Sequence, residues 1–94
     1  MKKIAAIADT FHVPISPHNT KGPVGIVAAA HLMASVPNVA PMELVTGIDW
    51  RDEIITKPLN IEGGRVYLPE GPGWGIELDM DGVEKHRWRP GDPR

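Results

Sequence analysis

The 94 residues contain no cysteine. That excludes a disulfide framework and a thiolate zinc site, and it makes the cytoplasm the expected compartment. No apolar run reaches the roughly 18 residues a bilayer span needs. The opening MKKIAAIADT sets two lysines before an apolar stretch in the manner of a secretory leader. Asp9 breaks that stretch after five apolar residues, which is too few for a signal core. Neither sign of charge dominates: 10 basic side chains face 12 acidic ones, for a net charge of -2. A polybasic grip on nucleic acid or on a membrane surface is therefore not expected. Internal repeats and low-complexity tracts are absent as well. The length allows one domain at most, with a modest core.

Glycine and proline are plentiful, ten of each, and they cluster where elements should end. Apolar Ile4, Ile7, Ala8 and Phe11 recur at near-helical spacing, so residues 2–10 read as the end of a helix packing one face on a sheet. Residues 12–18 read as a buried strand, although Pro14 and Pro17 are awkward in the middle of a ladder. Pro23 suits the first position of a helix running to about Ser35. Its shared face would be Val24, Val27, Ala28, His31, Leu32 and Ser35, with Pro37 ending the run. Residues 39–45 form a second apolar strand. A helix between two such strands predicts a βαβ crossover and parallel pairing.

After Gly47 the pattern changes. Leu59-Asn60-Ile61 and Val66-Tyr67-Leu68 alternate around Gly63-Gly64, a two-residue hairpin signal. A stiff stretch from Pro69 to Gly75 follows, then Ile76-Glu77-Leu78 and a short helix capped by Asp79. The expected organisation is a partial barrel over 1–47, a hairpin and return segment over 48–85, and a flexible tail over 86–94. Two parallel strands cannot close a barrel, and they leave strand edges uncovered. The layout reads as the last quarter of something larger.

Two titratable residues stand out. His18 ends the first strand and faces the start of a helix, where α/β proteins place chemistry. Imidazole titrates near neutrality, as proton transfer to or from carbon requires. Glu43 lies between Met42 and Leu44, and a buried carboxylate there would have to be paired or protonated. The bland readings are a loop histidine bonded to nearby backbone and a glutamate in an ion pair. Asn19, Thr20 and Lys21 form a polar turn in which Asn19 is the candidate substrate contact. His31 reads as packing or surface, and Trp74 as the plug of a barrel end. His12 and His86 lack partners at metal-ligand spacing, so no metal site is expected. Arg87-Trp88-Arg89 reads as a solvated tip.

The run HVPISPHNTKGPVGIVAAAHLMASVPNVAPMEL, followed by KPLNIEGGRVYLPEGPGWGIELD, resembles the carboxyl-terminal segment of the enolase superfamily. Within it, the nearest branch is the mandelate racemase/muconate lactonizing enzyme-like acid-sugar dehydratases of the galactonate dehydratase type. The resemblance implies an α/β fold, the last two βα units of a modified TIM barrel. Strands 12–18 and 39–45 would be parallel and followed by a β-hairpin and a capping segment. It implies His18 as general acid/base and Glu43 as the group that shares a proton with the substrate carboxylate. The implied chemistry is α-proton abstraction followed by β-elimination of water from a sugar acid. Mg²⁺ is implied as cofactor, with its carboxylate ligands and the lysine motif on strands that this chain does not contain. The chain is accordingly expected to be a carboxyl-terminal fragment, from a truncated or split gene or a partial sequence, inactive alone. Self-association or a complementary chain would cover its open faces. The alternatives are a non-catalytic self-associating half-barrel and a small-anion binding module.

Overall fold

The computed structural model describes residues 1–20 and 22–92. Helix α1 spans Lys2–Thr10 and helix α2 spans Pro23–Ala34. A 3₁₀ turn at Arg51–Ile54 leads to the hairpin strands β1 (Ile61–Glu62) and β2 (Arg65–Val66), and helix α3 spans Met80–Lys85. α1 ends in a paired backbone motif in which the Val13 N–H donates to Ala8 O and the His12 N–H to Asp9 O, at 3.0 and 2.9 Å. His12 supplies the left-handed residue this ending needs, with φ 55°. That accounts for His12 without any ligand role.

The predicted strands contract to a single parallel bridge, Ile15↔Val39. Pro17, the next residue after Ile15 that would donate to the neighbouring segment, has no N–H to give, so regular pairing does not extend along 12–18 and 39–45. The parallel direction is as expected. Asn38, next to the bridge, donates its amide to Ala5 O (3.0 Å) and Val13 O (2.9 Å) and so ties α1 to the extended segment.

The buried helix faces differ from the expected ones. In α2 the buried residues are Pro23, Ile26, Val27 and Ala30, while Val24 is 39% exposed. This helix is apolar nearly all round, so periodicity could not select the face, and a helix of that kind normally lies inside a larger body. In α1 only Ala5 is buried, and Ile4, Ile7 and Phe11 face outward. The core consists of Ile26, Val27, Ile55 and Leu59, with Met42, Leu44, Ile54, Ile61, Val66 and Ile76 packed against it. The Cα radius of gyration is 15.0 Å, against about 12 Å for a compact domain of this length. The molecule is open.

The hairpin matches its signal. Ile61 pairs with Val66 and Glu62 with Arg65, and Gly63 and Gly64 turn the chain with φ 57° and 74°. Both values are left-handed, as the tight primed turn demands. The return segment pairs antiparallel through Ile55↔Leu78. Asp79 caps α3 by accepting from the Asp81 and Gly82 N–H groups at 3.0 and 3.1 Å. Beyond α3, the Arg89 N–H donates to the Asp92 carboxylate at 2.7 Å and closes a small turn.

Candidate functional site

Hydrogen bonds along the parallel pair determine which side chains meet. The Ile15 N–H donates to Asn38 O (2.7 Å), and Ile15 O accepts from the Ala40 N–H (2.8 Å). In an even parallel ladder, Pro17 O would next accept from residue 42. It accepts instead from the Glu43 N–H, at 3.2 Å. One extra residue is therefore inserted on the second segment, at Pro41. Bulges of this kind are rare between parallel strands, and they re-aim the side chains that follow. Side chains alternate along extended backbone. An even register would have set Met42 beside His18 and sent Glu43 to the opposite face.

With the slip, Glu43 meets His18: a Glu43 carboxylate oxygen (Oε2) contacts His18 Nδ1 directly. Met42 and Leu44 go to the other side and pack on the core. Val39, Pro41, Met42 and Leu44 line one apolar groove with Ala30, Met33 and Ala34 of α2. The adjacent pair Pro41–Met42, where alternation would allow one of the two, marks the insertion. The His18 and Glu43 side chains are 77% and 48% exposed, so the pair is open to water on this chain. The contact engages Nδ1 and leaves Nε2 as the ring nitrogen outside it.

Asn19 is 3% exposed, and its amide donates inward to the Met42 sulfur at 3.6 Å. Alternation accounts for this, because Ile15, Pro17 and Asn19 point to the core while Ser16 and His18 point away. Thr20 is exposed, and Lys21 lies outside the described residues. The amino terminus of α2 follows at Gly22 with no side-chain cap. Elsewhere, His31 and Trp74 hold one another: His31 Nε2 is 3.3 Å from Trp74 O and the rings tilt at 5.7 Å. Among the described residues, no three His, Asp or Glu side chains are grouped to hold a metal ion. The two donors at the site are engaged with each other, and they do not by themselves fit the oxygen-rich octahedron that Mg²⁺ demands.

The chain matches the family model for the enolase C-terminal domain over residues 1–82. It belongs to the enolase C-terminal domain-like family. It is 35% identical over 86 residues to a D-xylonate dehydratase from Haloferax volcanii, a match covering 90% of this chain and 21% of that protein. It is 32% identical over 92 residues to a D-gluconate dehydratase from Thermoproteus tenax, covering 96% and 18%. A mandelate racemase/muconate lactonizing enzyme-like protein from Rubrobacter xylanophilus superposes with a TM-score of 0.86 at 36% identity, covering 95% of this chain and 23% of that one. The chain thus spans about a fifth of the length of these relatives, and it has the α/β fold of the barrel segment it matches. Acid-sugar dehydratases of the enolase superfamily are among its homologues.

Sequence reasoning missed one charged cluster. Glu53 Oε2 lies 2.5 Å from Lys85 Nζ and 2.8 Å from His86 Nε2, and Trp50 stacks on His86 at 5.1 Å and 21°. The Lys85 and His86 hydrogen bonds hold the Glu53 carboxyl below its ordinary value of 4.5. No spacing could have announced a partner more than thirty residues away. The cluster docks α3 on the 3₁₀ turn.

Proposed function

We propose that this chain carries the acid/base edge of a Mg²⁺-dependent acid-sugar dehydratase and is inactive by itself. The carrying observation is the direct contact of His18 Nδ1 with Glu43 at an exposed edge. A carboxylate on one ring nitrogen orients the imidazole and fixes which nitrogen meets the substrate. Nε2 of His18 then takes the proton α to a substrate carboxylate and delivers it to the β-hydroxyl, whose C–O bond breaks as it leaves as water while the Cα–Cβ double bond forms. Glu43 holds the imidazole between the two transfers and is the group that shares a proton with the substrate carboxylate. The uncapped start of α2 contributes partial positive charge for an anionic substrate. Any metal is held by residues other than these. Water must also be excluded by further protein, because low dielectric is what gives such pairs their force.

The test is turnover of D-xylonate and D-gluconate with Mg²⁺, following the 2-keto-3-deoxy product. The chain alone is expected to give none. Co-expression with a protein supplying the remaining four-fifths of a relative's length should restore activity, and His18→Asn should abolish it. Restored activity that survives His18→Asn removes His18 from the chemistry, and chelator-sensitive turnover by the chain alone refutes its dependence on a partner. A second reading, a self-associating half-barrel, draws on Ile4, Ile7 and Phe11, which are 59%, 65% and 72% exposed on one side of α1. Sedimentation equilibrium of the purified chain tests it; a strict monomer would count against it.

A further inference from the structure

The slip that brings Glu43 to His18 has to be held by something. Proline at 17 removes the N–H that would have continued the ladder to Ala40 O. Among the described residues, backbone pairing across the slip therefore rests on the Glu43 N–H to Pro17 O bond of 3.2 Å. A side chain supplies the missing link. The Ser16 hydroxyl donates to Pro41 O at 2.7 Å, a shorter bond than the backbone one and directed at the inserted residue itself. Ser16 lies two residues before His18, and Pro41 two before Glu43, so this bond spans the pair immediately behind the His18–Glu43 contact. An unbonded Pro41 carbonyl would let the second segment relax to the even register, which puts Met42 beside His18.

We propose that Ser16 is a positioning residue for the dyad: its hydroxyl pins the one-residue slip at Pro41 that sets Glu43, and not Met42, against His18. The inference rests on the reading of His18 and Glu43 as a working pair, but it concerns their placement and can be tested without turnover. Serine is suited to the place because a hydroxyl is a donor short enough to reach the neighbouring strand's carbonyl. Threonine keeps that donor and favours extended backbone. Alanine removes it.

The experiment is NMR on the full chain in whatever assembly it adopts, comparing wild type with Ser16→Ala and Ser16→Thr. Read-outs are the nuclear Overhauser contacts from the His18 ring to Glu43 or Met42 side chains, and exchange of the Glu43 amide. Contacts between the hairpin strands serve as a folding control. In Ser16→Ala the His18–Glu43 contact should vanish, with His18–Met42 contacts in its place. The Glu43 amide should exchange about five- to tenfold faster, the worth of one hydrogen bond. Ser16→Thr should retain the wild-type pattern. Should Ser16→Ala unfold the chain, Ser16→Cys, of similar shape but a weak donor, takes its place with the same expectation. Retention of the His18–Glu43 contact without the hydroxyl overturns the proposal, as does its loss in Ser16→Thr. A wild-type chain lacking the contact refutes the dyad itself, a different failure.

Discussion

Substituting Gly82 with alanine distinguishes docked from free α3 by the sign of its effect. In an isolated helix, replacing glycine by alanine stabilises by about 1 kcal/mol. Here a Cβ at residue 82 would stand 1.9 Å from Glu53 O, 2.8 Å from Glu53 C and 3.3 Å from Ile54 Cα. All three are backbone atoms, which cannot rotate aside. The helix must retreat by roughly an ångström or more to reach ordinary contact. That retreat breaks the Asp79 N–H to Ile54 O bond of 3.1 Å, worth about 1 kcal/mol. It also opens the Glu53–Lys85 and Glu53–His86 contacts. Overpacking of a tight site typically costs about 1–3 kcal/mol. Subtracting the propensity gain leaves a net loss of about 2 kcal/mol, or roughly 10 °C in Tm for a chain of this size. The assay is urea denaturation together with Trp50 fluorescence in a background where Trp74 and Trp88 are phenylalanine. Loss of the stack on His86 should appear before global unfolding. Gly82→Ala that raises stability by the full propensity increment, with Trp50 unchanged, would refute the close approach of α3 to the 3₁₀ turn.

Removal of the α3 cap by Asp79→Ala should cost about 1 kcal/mol, read as lower amide protection confined to α3; uniform loss across the chain would contradict a local cap. Ile26→Ala deletes a side chain that is 1% exposed and should cost at least about 2 kcal/mol, whereas Ile4→Ala should stay within about 0.5 kcal/mol in the free chain. Comparable losses at both sites in the monomer would mean that α1 is not the open helix described. The Glu53 carboxyl is held below 4.5 in the folded chain by Lys85 and His86, so its contribution is fully present above about pH 4.5. It is lost as pH falls through the lowered folded value. Denaturation of wild type and Glu53→Gln should therefore differ by a constant amount near neutrality and converge in acid; a gap that widens in acid would reverse the assignment.

Much of the chain could be read in order along the sequence. Pro23 began α2, Gly63-Gly64 closed the hairpin and Asp79 capped α3, because each of these signals acts within a few residues of itself. Apolar runs on either side of α2 gave parallel pairing, and His18 and Glu43 marked the exposed edge. The buried faces of α1 and α2 were beyond such reading. Both helices carry apolar residues on more than one side, and Asn38, distant in sequence, selects Ala5 by bonding across to it. The Glu53–Lys85–His86 cluster was equally invisible, being assembled only when the return segment pairs at Ile55↔Leu78. The site shows the division most sharply. The family resemblance placed the two residues at the ends of neighbouring strands and on one side, whereas an even register would have turned their side chains to opposite faces. Only the three-dimensional pairing, slipped by one residue where proline denies the ladder its N–H, turned Glu43 toward His18.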